Sequence, residues 1–316
     1  MKLGFLYAGQ GSQHAGMGQD LYEAYPTFRN IFDGAKLDFD LKRVAFSDPD
    51  GVLNQTRYTQ PCMVAFAAGV TAVLREKGIA PAAAAGLSLG EYSALCAAGA
   101  LDAQTAISTV AFRGRAMEEA AAGKESAMMA VLALDSEKLQ CACDEASSLG
   151  CCVIANYNCP SQLVIGGERA AVEKAAELAK AAGARRCMPL KVSGPFHTPL
   201  MAPAGAALQT YFEGVAFKEP EIPVLFNCLG GENHEGLPIA ELLVRQVQSG
   251  VRMEDSIRRM GEMGLDAIVE IGPGKVLSGF VKKILNGFPT FAVETVEDIE
   301  ALPAKLAALQ EEKHEI

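Results

Sequence analysis

Apolar and polar positions along the chain follow two periods, one typical of strands and one typical of helices. Segments with strand-like patterns are 2–8, 82–85 and 267–271. Segments predicted as helices are 59–77, 89–96, 103–121 and 276–285. The alanine run 82–85 is assigned as a strand from its context, because alanine is a weak strand former. Strands that alternate with helices predict the α/β class.

The pattern changes near residue 125. Strands and helices of this part are predicted, in order, at 127–134, 136–148, 151–155, 162–165, 168–182 and 185–192, with Asp135 or Ser136 as the cap of the first helix. This βαββαβ order is that of a small ferredoxin-like unit. Because the longer α/β pattern resumes afterwards, we predict a large domain over 1–124 and 193–316 and an inserted small subdomain over 125–192. The charged tail 311–316 is expected to fray.

Composition excludes several classes of function. The 316 residues carry a formal net charge of −10, which argues against nucleic acid or an anionic membrane surface as a partner. We find neither a transmembrane span nor a signal peptide. The nine cysteines contain no C-x-x-C pair and the four histidines show no ligand spacing, so we expect no metal. Scattered cysteines without a signal peptide fit a reducing, cytoplasmic environment.

The pentapeptide 86–90 has the G-x-S-x-G pattern of a nucleophile elbow, with Ser88 at its centre. Glycines on both sides let the chain turn sharply, and the amide of Leu89 would face the oxygen that becomes negative during acyl transfer. A second amide is expected from Gln10, in the loop 9–13 after the first strand, since sites of open α/β sheets lie at the carboxyl ends of strands. The alternative for that loop is an ordinary strand-to-helix turn. The dinucleotide fingerprint fails here, because His14 stands where glycine is required, and the P-loop fingerprint fails at 272–275.

A serine nucleophile needs a base, and His197 is the favoured candidate. It lies between Pro195 and Pro199, which stiffen the connection. His14, in the first glycine loop, is possible, whereas His234 lies in a polar loop and His314 in the tail. The alternative for His197 is a structural or solvated histidine.

Five motifs occur in one order: Gly9-Gln10-Gly11-Ser12-Gln13, Gly86-Leu87-Ser88-Leu89-Gly90-Glu91-Tyr92, Arg113-Gly114, Ser193-Gly194-Pro195-Phe196-His197 and Gly272-Pro273-Gly274-Lys275-Val276-Leu277. Their spacing resembles that of the malonyl-CoA:acyl carrier protein transacylases of bacterial fatty acid synthesis, over essentially the whole chain. The resemblance implies a hydrolase-like, parallel-sheet α/β core domain with an inserted ferredoxin-like subdomain. That agrees with the pattern of strands and helices described above.

The resemblance implies that Ser88 is the acylated nucleophile and His197 its general base and acid. It also implies an oxyanion hole built from the amides of Gln10 and Leu89. One position departs from the family, which usually has histidine where this chain has Leu87. No acidic residue stands out as a third member, which is consistent with a Ser–His dyad.

Further residues matter for the substrate. By resemblance, Arg113 pairs with the malonyl carboxylate and Gln246 supplies an acceptor that orients the histidine. Arginine's planar fork suits a carboxylate, although an arbitrary helix arginine is usually solvated. Phe196 would crowd a methyl branch on the malonyl α-carbon, and in related acyltransferase domains phenylalanine at this position accompanies malonyl units. We therefore predict a preference for malonyl over methylmalonyl.

The expected activity is a ping-pong transfer of malonyl from malonyl-CoA to the phosphopantetheine thiol of acyl carrier protein. No metal or redox cofactor is expected, and we expect a cytoplasmic monomer. Because acyl carrier protein is acidic, docking should use basic residues such as Lys275, Lys282 and Lys283.

Three alternatives remain open at the level of the sequence. A serine esterase or thioesterase would use the same elbow, with water instead of a thiol resolving the ester. A non-catalytic carrier-binding module would keep the fold without the chemistry. A free-standing malonyl acyltransferase of a polyketide pathway would share the chemistry entirely.

Overall fold

The chain folds into two units, which a computed structural model describes for backbone residues 1–314 and side chains 1–312. Unit 1 contains Met1–Ala111, Lys218–Val224 and the chain from Met260 onward, and unit 2 contains Phe112–Phe217 and Leu225–Arg259. The strands, in chain order, are β1 Leu3–Tyr7, β2 Pro81–Gly86, β3 Ser126–Leu132, β4 Cys152–Cys159, β5 Gln162–Glu168, β6 Arg186–Pro189, β7 Val224–Leu225, β8 Val251–Arg252, β9 Ala267–Ile271 and β10 Thr290–Val293.

The helices are α1 Gln19–Ala24, α2 Pro26–Gly34, α3 Thr56–Glu76, α4 Gly90–Ala97, α5 Ala103–Ala121, α6 Ser136–Ala146, α7 Arg169–Ala181, α8 Ala202–Phe212, α9 Ile239–Val247, α10 Met253–Glu262, α11 Val276–Ile284 and α12 Val296–His314. A π-helical turn, Arg43–Ser47, and two 3₁₀ turns, Ser147–Leu149 and Pro199–Met201, complete the regular structure of the described residues.

Unit 1 is built on a five-stranded sheet in the order β10-β9-β1-β2-β7. The pairs β10–β9, β9–β1 and β1–β2 are parallel. Carboxyl ends of parallel strands lie at one edge, so the segments that follow Tyr7, Gly86, Ile271 and Val293 meet there. This edge positions the elbow and the first glycine loop.

The buried interior of unit 1 is formed by small and apolar residues of β2 and α3. Ala83, Ala84 and Ala85 of β2 are fully buried, because a central parallel strand is covered on both faces. The helix α3 is buried over most of its length, from Thr56 to Leu74, and its apolar residues face more than one side. Such a helix gains its stability from packing rather than from an exposed polar face.

Unit 2 is built on a sheet in the order β6-β3-β5-β4-β8. The order β3-α6-β4-β5-α7-β6 is the predicted βαββαβ pattern, and β3, β4, β5 and β6 pair antiparallel as a ferredoxin-like unit requires. The predicted α/β class, a parallel-sheet core with a second small sheet, is therefore confirmed. The Asp135 side chain accepts the amide of Lys138 at 2.8 Å and caps α6.

Unit 2 is larger than the subdomain predicted over 125–192. It also contains β8, which pairs parallel with β4 at Asn156 and Tyr157. The strands β4 and β5 are longer than predicted and β6 is shorter. The boundaries 125–192 stay a prediction.

The tail expected to fray begins inside α12, which continues to His314, and residues 315–316 lie outside the described chain. None of the helices in the described part is both long and apolar enough to cross a membrane. All nine cysteines are free thiols; four are buried, four half-buried and Cys141 is exposed.

Candidate active site

Ser88 lies on a strained turn between β2 and α4. Its φ of 54° falls in the left-handed region, which is uncommon for a residue with a side chain and is typical of a nucleophile elbow. A Cβ on Gly86 would lie 2.1 Å from the carbonyl carbon of Gly90, and a Cβ on Gly90 would lie 2.4 Å from the carbonyl oxygen of Tyr7. The flanking glycines are therefore required by space, while the serine itself carries the unusual backbone angle.

Backbone hydrogen bonds hold the elbow against β1. The amide of Leu87 donates to the carbonyl of Tyr7 at 3.0 Å, and the amide of Gly90 donates to the carbonyl of Leu87 at 2.9 Å. The helix α4 begins at Gly90, so its positive amino end lies directly after Ser88. The neighbouring Leu89 is buried. An anion that forms at the serine would thus lie at the positive end of the α4 dipole.

The first glycine loop lies against the elbow. A Cβ on Gly9 would lie 2.7 Å from the carbonyl oxygen and 3.0 Å from the Cγ of Leu87. The hydroxyl of Ser12 donates to the carbonyl of Gly9 at 3.2 Å, and the Gln10 side-chain amide donates to Thr56 Oγ1 at 3.1 Å. The Gln10 side chain is therefore an anchor of the loop.

His197 is buried in unit 2 and held through its backbone and its ring. It is 4% exposed and has a φ of 59°. Its Nδ1 lies 2.9 Å from the carbonyl oxygen of Gln246, so Nδ1 carries the hydrogen and Nε2 is left as the acceptor. Burial, reinforced by the Arg113 charge, lowers the pKa of His197 to about 4. The ring is therefore neutral at physiological pH, as a general base must be.

Arg113, on α5, is fully buried. Its Nη2 donates to Oε1 of Gln246 at 2.9 Å. Gln246 thus serves two partners, with its backbone carbonyl on His197 and its side chain on Arg113. The alternative of a solvated helix arginine is wrong for Arg113, and a buried guanidinium is suited to pairing with an anionic ligand group.

Phe196 is 7% exposed and directly precedes His197. Its ring lies close to Gly194, where a Cβ would be 3.1 Å from Cε1 of Phe196 and 2.4 Å from the Cβ of Ala121. The hydroxyl of Thr198 donates to the carbonyl of Pro195 at 2.6 Å. This connection is therefore fixed by packing and by local hydrogen bonds as well as by its prolines.

The predicted residues fall into two sets. Ser88, Leu89 and Gln10 belong to unit 1, and Arg113, Phe196, His197 and Gln246 belong to unit 2. His234 is 78% exposed beside Glu232, and His14 is exposed and pairs with Glu294. Among the described residues, no three His, Cys, Asp or Glu side chains are grouped as a metal ion requires.

Sequence reasoning missed Glu270, a fully buried carboxylate on β9. It accepts the amides of Leu277 and Ser278 at 2.9 and 2.7 Å and caps α11. Burial raises the pKa of Glu270. The available signal was a single acidic residue inside the apolar run 267–271, immediately before the Gly-Pro-Gly turn.

Comparison with known proteins agrees with these local structures. Residues 4–305 match the acyl transferase domain family. The malonyl CoA-acyl carrier protein transacylase of Bacillus subtilis strain 168 is 43% identical over 302 residues, 95% of each chain. A crystal structure of MCAT from Streptococcus pneumoniae has a TM-score of 0.92 and 47% identity, covering 96% of this chain and 100% of that one.

A further solved structure is a complex of a type II polyketide-synthase acyl carrier protein with its malonyl-transacylase. Its TM-score is 0.90 at 38% identity, and the match covers 95% of this chain and 98% of that one. Nearly full-length similarity at these identities, together with the elbow at Ser88 and the buried Arg113, identifies the group of proteins concerned. The chain belongs to the malonyl-CoA:acyl carrier protein transacylase family.

Proposed function

We propose that this enzyme transfers the malonyl group of malonyl-CoA to the phosphopantetheine thiol of acyl carrier protein, and so supplies fatty acid synthesis. The observation that carries the proposal is the buried Arg113, joined through Gln246 to a neutral His197. A buried cation is suited to a substrate that bears a free carboxylate, and a neutral imidazole is suited to deprotonating a hydroxyl.

In the first half-reaction, the malonyl carboxylate pairs with Arg113. His197 Nε2 takes the Ser88 proton while Oγ attacks the thioester carbonyl. The negative oxygen that forms is held by the amides of Gln10 and Leu89. The C–S bond then breaks, the coenzyme A thiolate receives the proton from His197, and a malonyl ester remains on Ser88.

In the second half-reaction, the phosphopantetheine thiol loses its proton to His197 and attacks the ester carbonyl. The same two amides hold the second oxyanion. The C–O bond to Ser88 breaks, Oγ regains its proton from His197, and the malonyl thioester leaves on the carrier protein. The residues alone supply the acid–base steps, so we propose that no metal or redox cofactor takes part.

Intact-mass measurement after brief exposure to malonyl-CoA tests the first half-reaction. We expect a malonyl adduct on the wild type, none on Ser88→Ala, and a strongly reduced adduct on Arg113→Ala. An adduct on Ser88→Ala would overturn the assignment of the nucleophile.

Adding acyl carrier protein to the malonyl-enzyme distinguishes transfer from hydrolysis. With a labelled malonyl group, we expect the label to appear on the carrier protein much faster than it appears as free malonate. Rapid release of malonate with no labelled carrier would instead indicate a thioesterase. Comparing a fatty acid carrier protein with a polyketide carrier protein in the same assay would show which pathway is served.

Carrier docking is proposed at basic residues in and near the turn 272–275, which we call the closing turn. Lys275, Lys282 and Lys283 are exposed, and the last two lie in the final turn of α11. Reversing all three charges should raise the KM for carrier protein and leave the KM for malonyl-CoA unchanged. An unchanged KM for the carrier would dismiss this surface. We also propose a cytoplasmic monomer, which sedimentation of the pure enzyme would check.

A further inference from the structure

Three strand-end segments of unit 1 meet at the carboxylate of Glu294, the residue directly after β10. Its Oε1 lies 2.6 Å from Nε2 of His14, which belongs to the segment after β1. Its Oε2 accepts the amide of Gly274 at 2.9 Å, in the turn after β9. One side chain therefore ties together the ends of β1, β9 and β10.

His14 is surrounded by acceptors on both ring nitrogens. Nε2 faces the Glu294 carboxylate, and Nδ1 lies 3.0 Å from the carbonyl oxygen of Ala15. A neutral imidazole has only one N–H, so it can satisfy only one of these acceptors. The imidazolium satisfies both. The geometry is thus complete only when His14 is protonated.

The segment held by His14 is the loop that carries Gln10. The loop is already bent by the contact of Ser12 with Gly9 and by the contact of the Gly11 amide with Gln13 Oε1 at 2.7 Å. On its other side the closing turn approaches closely, since a Cβ on Gly272 would lie 2.3 Å from the Cβ of Ala8. The loop that carries Gln10 is therefore fixed at one end by β1 and at the other by the contact of His14 with Glu294.

We propose that His14 and Glu294 are positioning residues for the Gln10 amide, and that the protonated form of His14 is the one that holds the loop. The inference rests on the proposed function, because it assumes that the Gln10 amide stabilises the oxyanion. It assigns a role to a histidine that the acyl-transfer chemistry does not use.

The direction in which pH changes the His14 contact follows from its carboxylate partner, Glu294. The hydrogen bond to Glu294 and the Ala15 carbonyl raise the pKa of His14 above its ordinary value of 6.5. The contact is therefore complete below about pH 6.5 and is lost as pH rises through the raised value. The alkaline decline is opposite in sign to the acid-side rise expected from His197.

Charged groups on the segments that meet at the pair include Asp298, Asp20 and Lys275. Asp298 accepts the amides of Glu294 and Thr295, and Asp20 of α1 accepts the amide of Val296. Lys275 follows Gly274 in the closing turn. Glu294 is the carboxylate that hydrogen-bonds His14, so the change with pH should be that of His14.

The test compares His14→Gln, His14→Arg and Glu294→Gln with wild type, and uses His234→Gln as the matched control. The control changes another exposed histidine that lies near a glutamate, at 3.9 Å from Glu232 in unit 2. For each variant, kcat and KM for malonyl-CoA are measured in the first half-reaction from about pH 5 to about pH 9, a range that brackets the histidine pKa.

We expect His14→Gln and Glu294→Gln to lower kcat by about tenfold with KM unchanged, less than the loss of a whole oxyanion donor costs. His14→Arg keeps a permanent cation, so it should retain kcat at high pH and remove the alkaline decline. The control should match wild type. Because the pair is partly exposed, the melting temperature should hardly move in any variant, which separates positioning from a general structural role.

Two outcomes overturn the inference while leaving the function intact. In the first, the wild type forms malonyl-enzyme and its kcat declines at alkaline pH, but neither His14→Gln nor His14→Arg changes that decline. The second, independent of activity, is an NMR titration that places the His14 pKa at or below 6.5. If instead the wild type forms no malonyl-enzyme, the proposed function fails, and the NMR titration still reports on the contact itself.

Discussion

The carbonyl oxygen of Gln246 lies 2.9 Å from Nδ1 of His197, so the group that orients this imidazole is backbone and not side chain. The side chain of the same residue accepts a hydrogen bond from Arg113 at 2.9 Å. Gln246 therefore connects His197 with Arg113, and substitutions at position 246 separate the contributions of these two residues.

Replacing Gln246 with alanine should affect substrate binding more than the titration of the base. The contact to His197 survives, whereas Arg113 loses a buried hydrogen bond of the charged type, which contributes about 1.5–3 kcal/mol. We expect the KM for malonyl-CoA to rise by about tenfold, with little change in the acid limb of kcat. Steady-state kinetics across pH provides the measurement. An acid limb that moves while KM stays constant would contradict the backbone assignment.

Removing the guanidinium should abolish the preference for a carboxylated substrate. In Arg113→Ala we expect kcat/KM for malonyl-CoA to fall by about a hundredfold or more, since an ion pair in a buried site is lost. Activity with acetyl-CoA should be little affected, because that substrate has no carboxylate to pair. Arg113→Lys keeps the charge but not the planar fork, so it should recover only part of the loss. Equal losses for both substrates would indicate a folding defect.

The low pKa of His197 has consequences for both rate and stability. Activity should rise with pH through about pH 4, as the buried imidazole becomes neutral. The unfolded chain binds this proton with a pKa of about 6.5, so stability should increase with pH between about 4 and 6.5. Rate profiles and urea unfolding at several pH values measure the two effects. His197→Gln should remove this contribution to the stability profile.

The aromatic ring at position 196 should set selectivity against a methyl branch. Because Phe196 is buried and constrained on one side by Gly194, it has little freedom to move away from a larger acyl group. Phe196→Ser should lower the malonyl/methylmalonyl ratio of kcat/KM by about tenfold, the effect of one methyl group in a tight pocket. An unchanged ratio would dismiss the steric explanation.

The glycines of the elbow should tolerate no side chain. Gly90→Ala would place Cβ 2.4 Å from the Tyr7 carbonyl oxygen, so we expect loss of soluble, active protein or a destabilisation of about 3 kcal/mol. Gly279→Ala is the control, since that glycine lies in α11 with no heavy atom within 4 Å of the added carbon. The control should be neutral or stabilised by up to about 1 kcal/mol. Thermal unfolding of both variants measures the change in stability that each substitution causes.

Elements with a strong pattern were predicted well. The helix over 103–121 and the strand over 267–271 were found with their predicted bounds, and the βαββαβ order was found with small shifts at the ends. The strand β8 has only two residues, too few for a period to be visible. Its existence depends on pairing with β4, a tertiary contact that no local pattern encodes.

The candidate site was predicted unevenly for a physical reason. Ser88 follows from local stereochemistry, because glycines flank the turn. Arg113 could be selected only by resemblance, since nothing in an isolated helix distinguishes a buried arginine from a solvated one. The Gln246 contact with His197 uses a carbonyl that every residue possesses, so its side chain carries no signal for it. His14 was noticed as a candidate base, but its carboxylate partner lies 280 positions away along the chain.

The pairing of β8 with β4 also bears on how such enzymes can be recombined. A chimera that exchanged only residues 125–192 with a relative would contain the relative's β4. That strand would have to pair with Val251 and Arg252 of the original chain, although it did not evolve beside them. Crossover points placed around both stretches, 112–217 and 225–259, would keep native neighbours together. Exchanging unit 2 between acyltransferases therefore requires that both stretches of chain be exchanged together rather than one alone.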